Sequence, residues 1–317
     1  MIFTVTLNPA VDKVLFLNEF IKCKTNRLDR VVETLGGKGT HVSINLKILG
    51  VQSTALGITL GENGKLITRM MERWGIDVRF LHYDLEGLES RTNYEIVEEF
   101  GHICSMVTEK GPILARFITN DLLDQLEQLI HPGDIVVLTG DASNVEDTSI
   151  YAKMSKVAKD HGAKVFLDAS GPYLAEGLKS KPFLIKPNLE ELGHITGREL
   201  SLETDIINAL IGLSDYEIDI IAMTWSGKGA VIKYGKAIYR IDPIKVNVIN
   251  EGGCGDAFLA AIIAGIVKDL TIEETLKSAA AVAGAAAESE ITAGFDPTRA
   301  EGLLRDVAIK ILNVSTK

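Results

Sequence analysis

The segment at residues 250–258, Asn-Glu-Gly-Gly-Cys-Gly-Asp-Ala-Phe, combines residue types that could transfer a phosphoryl group. A β-like run ends there and a helical run begins, so the glycines would leave backbone N–H groups free at a helix N-terminus, where anions are favoured. Asp256 could take a proton from a hydroxyl group while these donors stabilise the transferring charge. A first-turn acid beside a glycine turn explains the same spacing equally well. The glycines that leave these groups unobstructed are Gly252, Gly253 and Gly255.

A second glycine-rich loop, Gly36-Gly37-Lys38-Gly39, lies between a strand pattern and a helix pattern. It is not a Walker A loop, because Gly39 stands where that motif needs Ser or Thr. Glycines let a polar ligand approach the backbone, and Lys38 offers that ligand a positive charge. His41 follows in the first helical turn and is a candidate ligand contact, although a lone histidine is as often a satisfied polar residue.

A third segment, Lys186-Pro187-Asn188, ends a buried strand pattern, and Glu191 follows three residues after Asn188. That spacing predicts a capping box at the start of a helix. The same pair could hold Mg²⁺ through its water shell, since Mg²⁺ prefers oxygen ligands and keeps several waters. The two interpretations are compatible.

Two further segments could contact ligands. The turn at 224–229, Thr-Trp-Ser-Gly-Lys-Gly, follows a strand pattern and suits nucleotide phosphates. Arg91 and Asn93 belong to a strand pattern in the first half of the chain. An arginine there could hold a substrate phosphate over the cleft of an acidic protein. A solvated surface cation is the simpler alternative for Arg91.

Strand and helix patterns alternate along most of the chain, which predicts an α/β fold with a mostly parallel sheet covered on both faces. Hairpin-like strands within about 10–36 and 88–110 interrupt this alternation. They contain too little apolar sequence for burial on both faces, so we expect a small sheet that acts as a lid over the ligand edge of the large one. The run at 244–249 should be a strand and 297–312 a helix. We expect residues 1–317 to form one domain.

Composition and charge exclude several classes of protein. The 317 residues are 46% hydrophobic and 24% charged, which is typical of a folded enzyme. The net charge of −10 argues against a nucleic-acid binder. Three cysteines without metal-type spacing favour a reducing compartment. The start of the sequence lacks a signal-peptide pattern, and the small-apolar stretch at 279–287 is far shorter than the roughly 20 residues of a membrane span. We therefore expect a cytoplasmic protein with no nucleic-acid or membrane partner.

Taken together and in order, the motifs resemble those of the ribokinase-like superfamily, specifically its phosphofructokinase B branch of 1-phosphofructokinase and tagatose-6-phosphate kinase type. The resemblance covers nearly the whole chain and includes TLNPAVD, GGKG, SRTN, LDASG, IKPNLEEL and GCGD. It implies a three-layer α/β/α domain with a β-sheet lid. It also implies ATP and Mg²⁺ as co-reactants and a homodimer that pairs through the lids. A requirement for K⁺ stays open.

The resemblance also implies a role for each motif residue. Asp256 would be the general base, next to an anion hole formed by the N–H groups of Gly253, Cys254 and Gly255. The contacts with the sugar phosphate would be Asp12, Arg27, Gly37, Lys38, His41, Arg91 and Asn93. The contacts with ATP would be Lys186, Asn188, Thr224, Ser226, Gly227 and Gly229. Mg²⁺ would be organised through water by Asn188 and Glu191.

The sequence departs from the family pattern close to the expected acceptor. The family usually has Asn where His41 stands and Ala where Cys254 stands. Glu251 adds a negative charge beside the transfer site, and the loop at 141–144 lacks the usual Ser-Leu-Pro-x-Gly. These differences concern the identity of the sugar rather than the superfamily.

The function that these features favour is an ATP-dependent kinase of a ketohexose phosphate, either fructose-1-phosphate or tagatose-6-phosphate. A kinase of an unphosphorylated sugar or nucleoside is the first alternative, but a neutral acceptor would not need Lys38, Arg27 and Arg91. A sugar-phosphate-binding protein without turnover is the second alternative, and the presence of Asp256 argues against it.

Overall fold

The computed structural model describes residues 1–98, 100 and 103–312. The strands of these residues are β1 (Ile2–Thr6), β2 (Ala10–Leu17), β3 (Arg30–Gly36), β4 (Thr54–Leu60), β5 (Asp77–Val78), β6 (Leu81–Tyr83), β7 (Arg91–Glu98), β8 (Ile103–Thr108), β9 (Ile135–Thr139), β10 (Lys164–Asp168), β11 (Leu184–Ile185), β12 (Ile220–Thr224), β13 (Ala230–Tyr234), β14 (Ala237–Ile241) and β15 (Ile309–Leu312). The α-helices are α1 (Lys38–Ile48), α2 (Gly61–Arg73), α3 (Arg116–Leu129), α4 (Ile150–Asp160), α5 (Gly171–Leu178), α6 (Leu189–Thr196), α7 (Glu203–Gly212), α8 (Cys254–Val267), α9 (Ile272–Ala287) and α10 (Pro297–Leu303).

The larger sheet is parallel over most of its width. Its strand order is β15-β14-β13-β12-β11-β10-β9-β1-β4-β5, and β6 also pairs with β4. All pairs from β12 to β5 are parallel, whereas β13, β14 and β15 add an antiparallel end. Because the carboxyl ends of parallel strands meet at one edge, the loops after β1, β9, β10, β11 and β12 converge there.

Helices cover both faces of this sheet, since its strand side chains alternate between two apolar cores. In β9, Val136 and Leu138 pack into the core that contains α3, α4, α5, α6 and α7. Ile135 and Val137 point the other way, into the core formed by α1, α8, α9 and α10. The expected three-layer α/β/α architecture is confirmed. In the described residues, no helix is both long and apolar enough to cross a membrane.

The expected small sheet is also present, with the strand order β3-β2-β7-β8. The strands β2 and β7 run parallel to each other, and their register pairs Asp12 with Asn93. The pairs β2–β3 and β7–β8 are antiparallel. All four strands lie within the two segments predicted for it, 10–36 and 88–110.

Two predicted elements are wrong. Residues 244–249 form no strand, because no strand among the described residues pairs with them. The side chain of Ile244 instead packs against α9. The predicted helix at 297–312 ends at Leu303, and after a 3₁₀ turn the chain forms β15, which pairs antiparallel with β14. The sequence Ile-Lys-Ile-Leu has the two-residue period of a strand, and a distant strand provides its partner.

Candidate active site

The loop before α8 has a backbone that only glycine can provide. Gly253 has φ 74°, and a Cβ atom there would lie 1.7 Å from the carbonyl oxygen of Thr292. This conformation turns the chain directly into α8 at Cys254. The backbone N–H groups of Gly253, Cys254 and Gly255 have no acceptor among the described residues. The predicted anion hole is therefore available at the N-terminus of a 14-residue helix.

Asp256 lies in the first turn of α8, and only 5% of its surface is exposed. Its Oδ2 atom is 2.8 Å from Nδ1 of His41 on α1. Its Oδ1 atom has no hydrogen-bond partner in the part of the chain that is described. One carboxylate oxygen is thus held by the protein, and the other is left for a ligand beside the free N–H groups.

Two lysines are held next to this site by one buried carboxylate. Asp168, at the end of β10, is 0% exposed and lies 3.0 Å from Nζ of Lys38 and 3.3 Å from Nζ of Lys186. Burial opposes the charge on Lys38, but Asp168, Asp256 and Glu191 raise its pKa, so that it stays protonated. The Nζ atom of Lys186 lies against Gly255, at 3.2 Å from the position of a Cβ atom there. Lys38, Lys186 and Asp168 together carry one net positive charge, next to the anion hole.

A cleft of about 330 Å³ opens from the anion hole, and most of the predicted ATP contacts line it. These residues are Asn188, Thr224, Ser226, Gly227 and Gly229, and Cys254 and Gly255 lie at the same cleft. Lys186 is not part of this lining but lies beside Gly255, as described above.

The apolar wall of the cleft was missed by the sequence analysis. It is formed by Ile244, Val246, Phe258, Ala280 and Ala283. The small residues of α9 were considered only as a membrane segment, although their size lets a flat ligand approach the helix. Arg240 was missed as well, and it holds the glycine turn because its Nη2 donates to the carbonyl of Lys228 at 2.7 Å.

Asn188 and Glu191 form the predicted capping box at the start of α6. Asn188 Oδ1 accepts a hydrogen bond from the Glu191 N–H, and Glu191 Oε2 accepts one from the Asn188 N–H, both at 2.8 Å. Burial raises the pKa of Glu191, although the positive charge of Lys38 acts to lower it. No cluster of three or more metal-ligating side chains occurs in the described ranges. This donor set fits a hydrated Mg²⁺ that reaches the protein through water and phosphate oxygens.

The opposite wall of the site comes from the small sheet. Asp12 on β2 accepts a hydrogen bond from Nδ2 of Asn93 on β7 at 2.8 Å, and both side chains are buried. The Oδ1 atom of Asn93 is buried without a partner among the described residues. A buried amide oxygen without a donor is costly, so a ligand hydroxyl is a fitting partner. Gly37, with φ 103°, packs against Thr6 and leads into α1 near this wall.

The two predicted arginine contacts differ in their surroundings. Arg91 is buried, and its Nε donates to the carbonyl of Asn8 at 3.1 Å. Its Nη1 donates to the carbonyl of Glu109 at 3.2 Å and lies 3.4 Å from Asp141. Burial lowers the pKa of Arg91, and the neighbouring carboxylates oppose that effect. Arg27 is exposed on the loop between β2 and β3, and its role as a contact stays a prediction.

The small sheet is joined to the glycine loop by a buried carboxylate that the sequence analysis missed. Glu95 on β7 is 1% exposed and accepts a hydrogen bond from Nδ2 of Asn250 at 3.0 Å. Asn250 in turn accepts one from the N–H of Gly252 at 2.7 Å. The alternation of β7 places Arg91, Asn93 and Glu95 on one face, which was the available signal for this residue.

The fold is that of the ribokinase-like kinases. The structure of phosphofructokinase-2 from Escherichia coli in complex with potassium superimposes with a TM-score of 0.89 at 20% identity, and covers 96% of this chain and 98% of that one. A candidate phosphofructokinase of Staphylococcus aureus gives a TM-score of 0.82 at 28% identity, with 99% of this chain and 100% of that one covered.

The sequence comparison narrows this class to one family. The pattern of the pfkB family carbohydrate kinases matches residues 5–299. The 1-phosphofructokinase of Bacillus subtilis (strain 168) is 31% identical over 290 residues, which are 92% of this chain and 93% of that protein. The chain belongs to the pfkB family of carbohydrate kinases, and the resemblance stated from the motifs is confirmed.

Proposed function

We propose that the protein is an ATP-dependent kinase that phosphorylates a ketohexose phosphate, fructose-1-phosphate or tagatose-6-phosphate, to a bisphosphate. The observation that carries this proposal is the position of Asp256. It lies in the first turn of α8, beside N–H groups without an acceptor among the described residues, and its Oδ1 has no partner there while His41 holds Oδ2. The relative from Bacillus subtilis, named as a 1-phosphofructokinase, supports the choice of substrate class.

In this proposal each part of the site has one task. Asp12 and Asn93 orient the sugar hydroxyls, and Asp256 accepts the proton of the hydroxyl that attacks the γ-phosphorus of ATP. The N–H groups of Gly253, Cys254 and Gly255 hold the charge that develops on the transferred group. Positioning and electrostatic stabilisation then supply most of the rate, as is general for phosphoryl transfer.

Mg²⁺ would be held through water by Asn188 and Glu191, and when bound it supplies charge neutralisation on the phosphates. Lys186 lies between this pair and the anion hole. Its ammonium group, paired with Asp168 at 3.3 Å, is available to the same phosphates from the other side. In this proposal the nucleotide phosphates lie between the positive side chain of Lys186 and the negative side chain of Glu191.

The phosphate that the acceptor already carries would contact Lys38 and Arg91. Lys38 keeps its proton, and its side chain is 37% exposed toward the site. Arg91 has used Nε and Nη1 for backbone carbonyls, so Nη2 is the donor that remains for the phosphate. His41 stays a predicted contact with the sugar phosphate, although both its ring nitrogens already have protein partners.

A coupled assay of ADP release over a panel of acceptors tests the proposal. The panel contains fructose-1-phosphate, tagatose-6-phosphate, the two unphosphorylated sugars, ribose and a nucleoside. We expect the highest kcat/KM with a ketohexose phosphate. Faster turnover of a neutral sugar or nucleoside would favour the first alternative function. Thermal stabilisation by sugar phosphates without any ADP release would favour the non-catalytic alternative.

We also propose a homodimer that pairs through the small sheets. Their outward side bears exposed apolar side chains, of which Val31 on β3 is 50% exposed and Val107 on β8 is 54% exposed. Further exposed apolar residues of this region are Phe20, Ile21, Leu28 and Met106. Exposed apolar side chains on the outer face of a sheet, such as Val31 and Val107, are typical of an interface, and a second copy offers the same face in return.

Light scattering of the eluted protein tests this arrangement. Val31→Glu should convert a dimer to a monomer, because two copies of the charge would face one buried interface. Ile113→Glu, at another exposed apolar position, is the matched control and should leave the mass unchanged. A wild-type monomer, or a dimer that survives Val31→Glu, would contradict pairing through this face. A cytoplasmic location, which would supply ATP and keep the three free cysteines reduced, stays a prediction.

A further inference from the structure

His41 is buried between the two halves of the site, and both of its ring nitrogens are engaged. Nδ1 lies 2.8 Å from Oδ2 of Asp256 on α8, and Nε2 lies 2.8 Å from the carbonyl oxygen of Leu35 on β3. The ring is 6% exposed. Its position at the start of α1 therefore connects the small sheet to the candidate general base.

The chemistry of these two partners fixes the protonation of the ring. A carbonyl oxygen only accepts hydrogen bonds, so Nε2 must carry a hydrogen atom to satisfy Leu35. An ionised carboxylate also only accepts, so Nδ1 must carry one to satisfy Asp256. A neutral imidazole has a single N–H, and the two contacts together require an imidazolium ion beside an ionised Asp256.

The charges around the ring agree with this assignment. The acids that face it are Asp256 on α8 and Asp12 on β2. Burial alone would lower the pKa of His41, but the hydrogen bond and charge of Asp256, followed by the charge of Asp12, raise it above its usual value. Lys38, on the same helix as His41, is paired with Asp168. Glu95 on β7 is engaged by Asn250.

We infer that His41 is a positioning residue, which as an imidazolium ion holds Oδ2 of Asp256 and leaves Oδ1 to receive the proton of the acceptor hydroxyl. The inference rests on the proposed function of Asp256 as the base. In the transfer step the acceptor O–H bond breaks and its proton passes to Oδ1. The acceptor oxygen then forms a bond to the γ-phosphorus, and the bond from that phosphorus to ADP breaks. His41 keeps its two protons throughout.

A fixed positive charge has a consequence that a neutral hydrogen-bond donor does not have. The imidazolium stabilises the negative charge of the Asp256 carboxylate as well as orienting it. An asparagine at this position would orient the carboxylate without adding charge. Orientation and charge can therefore be separated by substitution at this one residue.

The test compares His41→Ala and His41→Asn with the wild type, using kcat as a function of pH. His41→Ala should lower kcat about 10- to 100-fold, the range of a hydrogen bond to a charged group, and leave the KM of ATP unchanged. The acid limb of its profile should move to higher pH. His41→Asn should recover part of kcat at neutral pH, while its acid limb stays displaced. His131→Asn, at an exposed histidine, is the control for both properties.

A second measurement does not depend on activity or on the stability of the Ala variant. Nitrogen-15 NMR of histidine-labelled protein should show one imidazolium that persists to higher pH than the exposed histidines. This signal should be absent in His41→Asn and should lose its proton at lower pH in Asp256→Asn. A neutral His41 ring at pH 7 would overturn the inference, and so would an unchanged kcat and acid limb in His41→Ala. If Asp256→Asn keeps full turnover, the proposed base is wrong. If Asp256→Asn loses turnover but His41→Ala keeps the wild-type pH profile, only the proposed role of His41 is wrong.

Discussion

The side of the site proposed to bind the nucleotide offers backbone donors and an apolar wall, whereas the proposed acceptor side offers charged and polar side chains that already contact one another. The first is built from the N–H groups of α8 and from Phe258, Ala280 and Ala283. The second is built from Asp12 with Asn93 and Arg91 with Asp141. Backbone donors keep their direction whatever is bound, whereas side-chain pairs must exchange partners when a substrate enters. Under the proposed function, the first side would bind the phosphates of ATP and the second would select the acceptor.

Asp256 lies where the two sides meet, so its substitution should have the largest effect. Asp256→Asn should lower kcat about 10²- to 10⁴-fold, the usual contribution of a general base, because an amide cannot accept the hydroxyl proton. The dissociation constant of ATP, measured by calorimetry, should change little. Asp269→Asn, just beyond the other end of α8, is the matched control and should keep wild-type kcat. Turnover of Asp256→Asn close to the wild-type value would show that Asp256 is not the general base.

The effect of an Asp168 substitution on the free energy of unfolding tests the nucleotide side of the site. Asp168→Asn removes the buried anion that Lys38 and Lys186 share, so the free energy of unfolding in urea should fall by about 3 kcal/mol. Saturating ATP should reduce this deficit, because its phosphates replace the lost negative charge. The control is Asp160→Asn, which breaks an exposed pair with Lys156 that is worth little. A deficit that ATP does not reduce would contradict a contact between Lys186 and the nucleotide phosphates.

Arg91 tests the acceptor side. Arg91→Ala should raise the KM of the sugar phosphate about 10- to 100-fold, the range for a hydrogen bond to a charged group, and change the KM of ATP far less. Asp141→Asn should lower the KM of the sugar phosphate, because the Arg91 guanidinium then loses a negative charge 3.4 Å away that competes with the phosphate. Arg79→Ala, at an exposed ion pair elsewhere, serves as control. Equal effects of Arg91→Ala on both KM values would contradict the division between the two sides.

Cys254 should have the smallest effect, because only its backbone N–H belongs to the anion hole. Cys254→Ala should leave kcat within a few-fold of the wild type. Burial, Glu251 and Asp256 raise the pKa of the Cys254 thiol to about 12, so alkylation at neutral pH should be slow. Mass spectrometry of the alkylated peptides gives the comparison with Cys23, whose exposed thiol is the internal control. Rapid alkylation of Cys254 that ATP prevents would show that the thiol itself lines the site.

Much of the site was predictable because its loops follow strands that end at one edge of a parallel sheet. The segments ending in Asp168 and Lys186, and the turn at 224–229, each carry a local pattern of buried strand and polar loop. Parallel strands bring such loops together whatever their distance along the chain. The positions of the candidate base, the glycine loop and the capping box therefore followed from local sequence.

The partners of these residues were not predictable in the same way. His41 and Asp256 are separated by 215 positions, and a lone histidine gives no local sign of the carboxylate it will meet. The strand β15 was predicted as part of a helix, because its partner β14 is about 70 residues earlier in the chain. The contribution of α9 to the wall of the cleft was not predicted, because small apolar residues show the same sequence pattern in a ligand cleft and in an apolar core. Pairings that depend on tertiary structure were thus the part that sequence patterns could not supply.

The most direct test of the division between the two sides is phosphorus-31 NMR of the wild-type enzyme with ATP and Mg²⁺. With fructose-1-phosphate or tagatose-6-phosphate as acceptor, we expect the γ-phosphoryl signal of ATP to disappear and two phosphate ester signals of a bisphosphate to appear. The same enzyme with fructose or tagatose should leave the ATP signals nearly unchanged. Equal consumption of ATP with the phosphorylated and unphosphorylated sugars would contradict the account, because the acceptor side would then not select for a phosphate.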